Sequence, residues 1–206
     1  KLTKRPIRNT EETSLLSAAD SRLMIFYNEN QAKQYWIKGS RWSVSAMLQI
    51  DAPFPACSLA IFRLAPSDYH RWHWPFDGTI VSQKSIAGTY YTVNPMAVNS
   101  TLNVFLENHR IVRQIDTKCF GKVYEVAIGA LLVGSIYCNH SVGKDFKRGD
   151  EAGYFKYGAS TVIYIFENRH VLFDYDIMAN SVNGQIETLV HVRENIGFIQ
   201  YASALE

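Results

Sequence analysis

The sequence predicts a mainly β protein with a few short helices. Three observations carry this. Clusters of apolar and β-branched residues recur at short intervals, Gly, Asn, Asp or Pro separates them, and sustained helical periodicity is scarce. The 206 residues are 47% hydrophobic and 13% aromatic, a composition that excludes disorder and suits one domain with a sizeable core.

In chain order the strand-like clusters are "RLMIFY", "CSLAIFRL", "GTIVSQKSI", "KVYEVAIGALLVGSIYC" and "TVIYIFEN". Short helices are expected in "SVSAMLQI" after Ser43 and near "NPMAVNS". In "VGKDFKRGDEAGYF" the composition is that of a tight turn. Gly149 is available there for positive φ between two strand-like flanks. That reading puts "GAST", residues 158–161, at the end of a hairpin.

Charge and cysteine content narrow the function classes. Twenty-one Lys and Arg against nineteen Asp and Glu leave a formal charge of +2, too little for a nucleic-acid-binding surface. The basic start "KLTKRPIR" reads as a solvated arm. Cys57, Cys119 and Cys138 are isolated and odd in number, which suits core thiols rather than a metal knuckle or a disulfide framework. There is no stretch of about 18 apolar residues and no signal-peptide pattern. The start at Lys1 without Met, and the ending "ASALE", suggest a piece of a longer protein.

The stretch densest in reactive side chains is "FRLAPSDYHRWHWPFDGTI", residues 62–80. Pro66 and Pro75 leave little room for a helix, and in an extended segment His70 and His73 face opposite ways. They are therefore expected to do different jobs. A metal site built from them with Asp68 or Asp77 lacks further ligands, so no metal is assigned. Ser160 lies in G-A-S-T-V rather than G-x-S-x-G, and no phosphate-binding or dinucleotide loop is present.

Several motifs in order resemble the phosphatidylserine decarboxylases, over about Ala19 to Gly197. They are "ADSRLMIF", "YWIKGSRWSV", "IFRLAPSDYHRWHWPFDGTI", "GTYYTVNPMAVNS", "VAIGALLVGSI", "KRGDEAGYFKYGASTVIYIFE" and "IETLVHV". The "ADSR" and "WIKG" versions are most similar to the eukaryotic endomembrane branch.

The resemblance implies a catalytic domain over residues 1–206, with short sheets packed in a sandwich- or barrel-like way. It implies self-cleavage between Ala159 and Ser160, which leaves a pyruvoyl group formed from Ser160 as the cofactor. The two fragments are expected to stay associated, and a homo-oligomer is left open. His73 would take the Ser160 proton while Asp20 fixes its imidazole tautomer. His70 would move a proton in the second reaction, decarboxylation of phosphatidylserine to phosphatidylethanolamine at a membrane surface. Trp72, Trp74 and Phe76 would face acyl chains or pack in the core. The implied location is the Golgi, endosome or vacuole of a eukaryote.

Two residues depart from the family pattern. Ala18 replaces a Pro, and Ala159 replaces the Gly before the serine. The second touches the scissile bond and is consistent with an uncleaved precursor. Two other readings stand beside this one: a pyruvoyl-dependent aromatic amino-acid decarboxylase, to which "YHRWH" is suited, and a non-catalytic lipid-binding relative.

Overall fold

A computed structural model describes residues 5–38, 41–130, 135–156, 160–167 and 171–200. The strands are β1 (Ser14–Leu16), β2 (Ser21–Phe26), β3 (Cys57–Leu64), β4 (Arg71–His73), β5 (Gly78–Ile86), β6 (Arg110–Thr117) and β7 (Lys122–Ile128), followed by β8 (Ser135–Cys138), β9 (Asp145–Phe146), β10 (Glu151–Lys156), β11 (Ser160–Glu167), β12 (Val171–Phe173), β13 (Thr188–Val190) and β14 (Asn195–Ile199). The helices are α1 (Glu29–Tyr35), α2 (Val44–Leu48), α3 (Pro95–Val98), α4 (Val104–Glu107) and α5 (Tyr175–Ala179), the last running into a π-helical turn, Asn180–Gly184.

One antiparallel sheet dominates, in the order β13-β2-β3-β11-β7-β6-β5-β9. Its central strands β3, β11 and β7 are buried along nearly their whole length. This is why they read as continuous apolar runs rather than as alternating ones. Alternation decides instead which core each residue joins. Leu23, Ile25, Phe62, Val162 and Tyr164 lie in one cluster, together with Trp72, Trp74 and Phe76. Met24, Phe26, Ile61, Ile163 and Ile165 lie in the other, with Trp36, Met47, Val98 and Phe105.

Two three-stranded antiparallel sheets, β4-β10-β8 and β1-β14-β12, contribute Trp72, Phe155, Leu15 and Phe173 to the first cluster. Helices α1 to α4 supply the second. The fold is therefore a mainly β member of the α+β class, layered like a sandwich. The barrel-like part of the expectation is not met, because β13 and β9 end the large sheet without pairing to each other.

Local chemistry accounts for the helix starts. Ser43 accepts the amide of Ala46 at 3.0 Å, and Asn94 accepts that of Ala97 at 2.8 Å, with Pro95 in the first turn. Asn28 caps α1 through the Gln31 amide at 2.8 Å.

The turn at Gly149 forms as expected, with φ of 81°. A Cβ there would lie 2.7 Å from Ile7 Cδ1 and 3.2 Å from Arg193 Nε, so glycine is required both for its φ and for the close approach. The Gly149 turn lies within the connection between β8 and β10, which pair antiparallel as far as Ser135 opposite Lys156, so residues 158–161 follow the end of that pair. Strand β10 pairs with β4 and β8, whereas β11 pairs with β3 and β7, so the chain crosses between sheets here.

Candidate functional site

The crossing just described gathers the expected reactive residues at one end of the large sheet. Strand β3 ends at Leu64, which lies opposite Ser160, the first residue of β11. Strand β2 begins at Ser21, immediately after Asp20, and pairs with β3 from Arg22 opposite Arg63. From Leu64 the chain leaves the large sheet through residues 65–70 and enters β4, which pairs with β10. From β10 it returns to β11. The outgoing and returning segments are tied together where the Phe155 amide donates to the His70 carbonyl at 2.9 Å.

Asp68 shapes the outgoing segment. Its carboxylate accepts the Ala65 amide at 2.8 Å and Arg22 Nη1 at 2.8 Å. Asp77 is held by Lys147 Nζ at 3.0 Å and the Arg148 amide at 2.8 Å.

Ser160 is buried, and its Oγ has no hydrogen-bond partner among the described residues. The same holds for Thr161 Oγ1, for both ring nitrogens of His70 and for Nε2 of His73. Buried polar groups are normally paired, and leaving one unpaired costs roughly 1–3 kcal/mol. Ala159, the other half of the expected scissile bond, lies outside the described residues, as does Gly158.

His73 is fully buried in β4. Its amide donates to the Ala18 carbonyl at 2.8 Å, its ring stacks on Tyr69 at 6.0 Å, and its Nδ1 lies 3.0 Å from the Gly149 carbonyl oxygen. A carbonyl can only accept, so Nδ1 carries the proton and Nε2 keeps its lone pair. Burial lowers the imidazole pKa from its ordinary value; the Gly149 hydrogen bond opposes this, and the positive charge of Arg193 reinforces it. The ring is therefore held neutral, as a proton acceptor must be.

Asp20 does not contact this ring. Its Oδ1 accepts the Val192 amide at 2.9 Å, and its Oδ2 is bound by the Arg5 guanidinium. Among the described residues neither contact of the expected triad is made, since Ser160 Oγ and His73 Nε2 are also not hydrogen-bonded to each other. A backbone carbonyl occupies the place at Nδ1 where a carboxylate was expected.

Trp72, Trp74 and Phe76 resolve to the core alternative. All three are buried. Trp72 Nε1 donates to Glu125 at 2.8 Å, Trp74 stacks on Phe146 at 3.7 Å, and Phe76 packs among Phe120, Tyr164 and Phe166. None reaches a surface on which acyl chains could lie. Their partners come from distant strands, so a local reading could not separate a core aromatic from a surface one. The sequence reading also missed Gly149 and Arg193 as neighbours of His73. No local pattern signals them, because the contacts span 76 and 44 residues.

Fold and site together define a layered antiparallel α+β protein in which a buried serine Oγ and a buried histidine Nε2 have no hydrogen-bond partner among the described residues. Comparison with known proteins makes the class specific. The family model described as phosphatidylserine decarboxylase matches residues 1–197, and the chain belongs to that family. It is 48% identical to phosphatidylserine decarboxylase proenzyme 2 of Oryza sativa over 94% of this chain and 32% of the relative. It is 45% identical to proenzyme 2 of Komagataella phaffii over 88% of this chain and 18% of the relative. A proenzyme of Clostridium perfringens is 38% identical over 94% of this chain and 66% of its own length. The chain therefore spans a third or less of the two eukaryotic relatives and about two thirds of the bacterial one.

Proposed function

We propose that residues 1–206 are the catalytic domain of a self-processing, pyruvoyl-dependent phosphatidylserine decarboxylase that makes phosphatidylethanolamine. The observation that carries this reading is that Ser160 Oγ and His73 Nε2 are both buried without a hydrogen-bond partner among the described residues.

In maturation, His73 takes the Ser160 hydroxyl proton and Oγ bonds to the Ala159 carbonyl carbon. The peptide C–N bond then breaks, and the nitrogen of residue 160 takes up a proton, leaving an ester. Removal of the Ser160 Cα proton expels the Ala159 carboxylate by breaking the Cβ–O bond. Hydrolysis of the resulting dehydroalanine releases ammonia and leaves the new carbonyl. Ser160, from which the group would form, is buried, and the ring nitrogens of His70 and Nε2 of His73 are buried without a partner among the described residues. Once formed, the pyruvoyl group supplies the electron sink for loss of CO2. His70, with both ring nitrogens buried and unpartnered, is suited to hold or deliver the proton in that second reaction.

Access to phospholipid requires a membrane surface. Among the described residues no helix is long and apolar enough to cross a membrane. Tyr90, Tyr91 and Met96 expose apolar surface within one segment, Met96 to 81%, and replace the buried tryptophans as candidates for lipid contact. A eukaryotic endomembrane location is part of the same reading, and the identities to the rice and yeast relatives support it. The relatives reported above carry phosphatidylserine decarboxylase names. No feature of the fold or site favours the aromatic amino-acid or binding-only readings.

Intact mass and turnover of dispersed phosphatidylserine test the proposal. Ser160→Ala and His73→Ala are expected to remain one chain, while His70→Ala still splits but turns over no substrate. Two fragments from Ser160→Ala would overturn the mechanism. Ala159→Gly is expected to speed cleavage roughly five- to thirtyfold, if alanine's cost of about 1–2 kcal/mol in left-handed geometry is felt at the scissile bond. Time-resolved mass spectra of the two precursors measure this, and equal rates would clear Ala159 of any role.

A further inference from the structure

The Gly149 carbonyl that receives His73 Nδ1 at 3.0 Å also receives Arg193 Nη2, at 2.7 Å. Arg193 stands in the turn between β13 and β14 with φ of 72°, a left-handed conformation uncommon for a residue with a long side chain. Something must hold it there, and Asp20 lies at both of its supports. One oxygen of Asp20 accepts the amide of Val192, the residue before Arg193. The other binds Arg5, whose own carbonyl accepts Arg193 Nη1 at 3.4 Å. Asp20 thus clamps the two chain segments that deliver the guanidinium to Gly149, without touching the imidazole itself.

The geometry points to Arg193 as the positioning residue through which Asp20 governs His73. The inference rests on the reading of His73 as the base for cleavage. The path runs from Asp20 to the 192–193 backbone, through the guanidinium to the Gly149 carbonyl, and from there to Nδ1. A carbonyl has two lone pairs, so it serves both donors at once. The charged donor fixes its direction more firmly than a neutral one would. Gly149 is the residue that permits this, because its φ of 81° and the 3.2 Å approach of Arg193 Nε to an added Cβ both exclude a side chain.

With the guanidinium removed, the Gly149 carbonyl would lose its charged donor, though the turn keeps the hydrogen bonds from the Gly149 and Asp150 amides to Trp74 and Lys147, and the Nδ1–H tautomer would lose part of its preference. The charges acting on His73 are Arg193 from this turn, Glu151 from β10 and Arg71 from its own strand, and the Tyr69 ring is stacked on it. Loss of Arg193 deletes one of the two cations. Protonation of His73 then becomes easier, and the acid limb of cleavage moves to higher pH.

A cavity of about 380 Å³ lies beside the guanidinium, lined by Arg5, Arg8, His191, Arg193 and Glu194. It gives the relay a test by chemical rescue, since methylguanidine fits such a space.

The experiment uses the full chain with Arg193→Asn, because asparagine tolerates left-handed backbone, and with Arg193→Lys. Histidine-selective 15N spectra are recorded in the Ser160→Ala background, so the chain stays whole. The expected result is an Nδ1–H signature for His73 that is weakened in Arg193→Asn and better kept in Arg193→Lys. With Ser160 restored, Arg193→Asn should cleave about tenfold more slowly, the loss expected for one charge-assisted hydrogen bond. Its acid limb should lie at higher pH, and methylguanidine should recover both rate and signature. An unchanged tautomer and acid limb in a folded Arg193→Asn would overturn the relay. Should that variant fail to fold by circular dichroism, the same readouts in Arg193→Lys decide. Cleavage that persists in Ser160→Ala would overturn the self-processing reading instead, and the tautomer spectra would still judge the relay.

Discussion

Two polar clusters lie at similar depth on adjoining strands of the large sheet, and they are built in opposite ways. Around Glu125, in β7, both carboxylate oxygens are used. Oε1 accepts Trp72 Nε1 at 2.8 Å and Tyr164 Oη at 2.7 Å, and Oε2 is bound by Arg113, which also lies over the Trp74 ring at 4.4 Å. At the start of β11, Ser160 Oγ and Thr161 Oγ1 have no hydrogen-bond partner among the described residues, and neither do His73 Nε2 or the two nitrogens of His70. The first cluster ties β4, β6, β7 and β11 into one block. The second leaves its atoms available. On the proposed function, cohesion and reactivity fall to separate groups, and substitutions in the two clusters should affect different measurements.

The largest contrast is between Ser160→Ala and Glu125→Ala. The serine change should abolish self-cleavage by intact mass while leaving the urea midpoint unchanged or slightly raised, since it removes an unsatisfied hydroxyl. The glutamate change strands Arg113 as an uncompensated buried charge and should cost about 3–5 kcal/mol in urea unfolding. Marked destabilisation by Ser160→Ala would erase the distinction. A smaller effect is expected from Thr161→Val, which swaps an orphaned hydroxyl for a methyl and should stabilise by about 1 kcal/mol. A loss of stability would reveal a partner for Oγ1.

The smallest effect is in the pH dependence. The folded pKa of His73 lies below its ordinary 6.5, first through burial. Above pH 6.5 neither the folded nor the unfolded chain protonates it, and its contribution to stability is fully present. As the pH falls toward the folded value, only the unfolded chain takes up the proton, so stability is lost. Between pH 7 and 5 the wild type should therefore lose more stability than His73→Gln. Parallel urea midpoints for the two would show that His73 is not held neutral.

Much of the frame was legible in the chain. The runs that became β2, β3, β7 and β11 announce themselves because central strands are apolar on both faces, and Ser43, Asn94 and Gly149 declare their caps and turn. Strand β6 was hidden. Its Arg110 and Arg113 suggest solvent, yet both are buried, Arg113 against Glu125 of the next strand. Helix α1 was missed although Asn28 and Gln31 carry its capping signal. That β11 joins β3 and β7 while β10 joins β4 and β8 could not be read from the chain, because sheet membership is decided by partners far away in sequence. Ser160, His73 and Asp20 could be named only through the family resemblance. The carbonyl that in fact meets His73 could not, since a backbone atom leaves no mark in a sequence.

The central place of β11 has a consequence for the severed molecule. Ser160–Glu167 lies between Leu64–Cys57 of β3 and Ile128–Val123 of β7, and the chain beyond it supplies β13 to the edge of β2 and β14 to β1. A cut before Ser160 would therefore leave a peptide woven through two sheets, with no surface along which it could simply depart. Before the cut, unfolding and refolding are unimolecular and independent of concentration. Afterwards, refolding becomes a reunion of two species whose yield falls on dilution, so a single broken peptide bond would turn a reversible fold into one that depends on its own history.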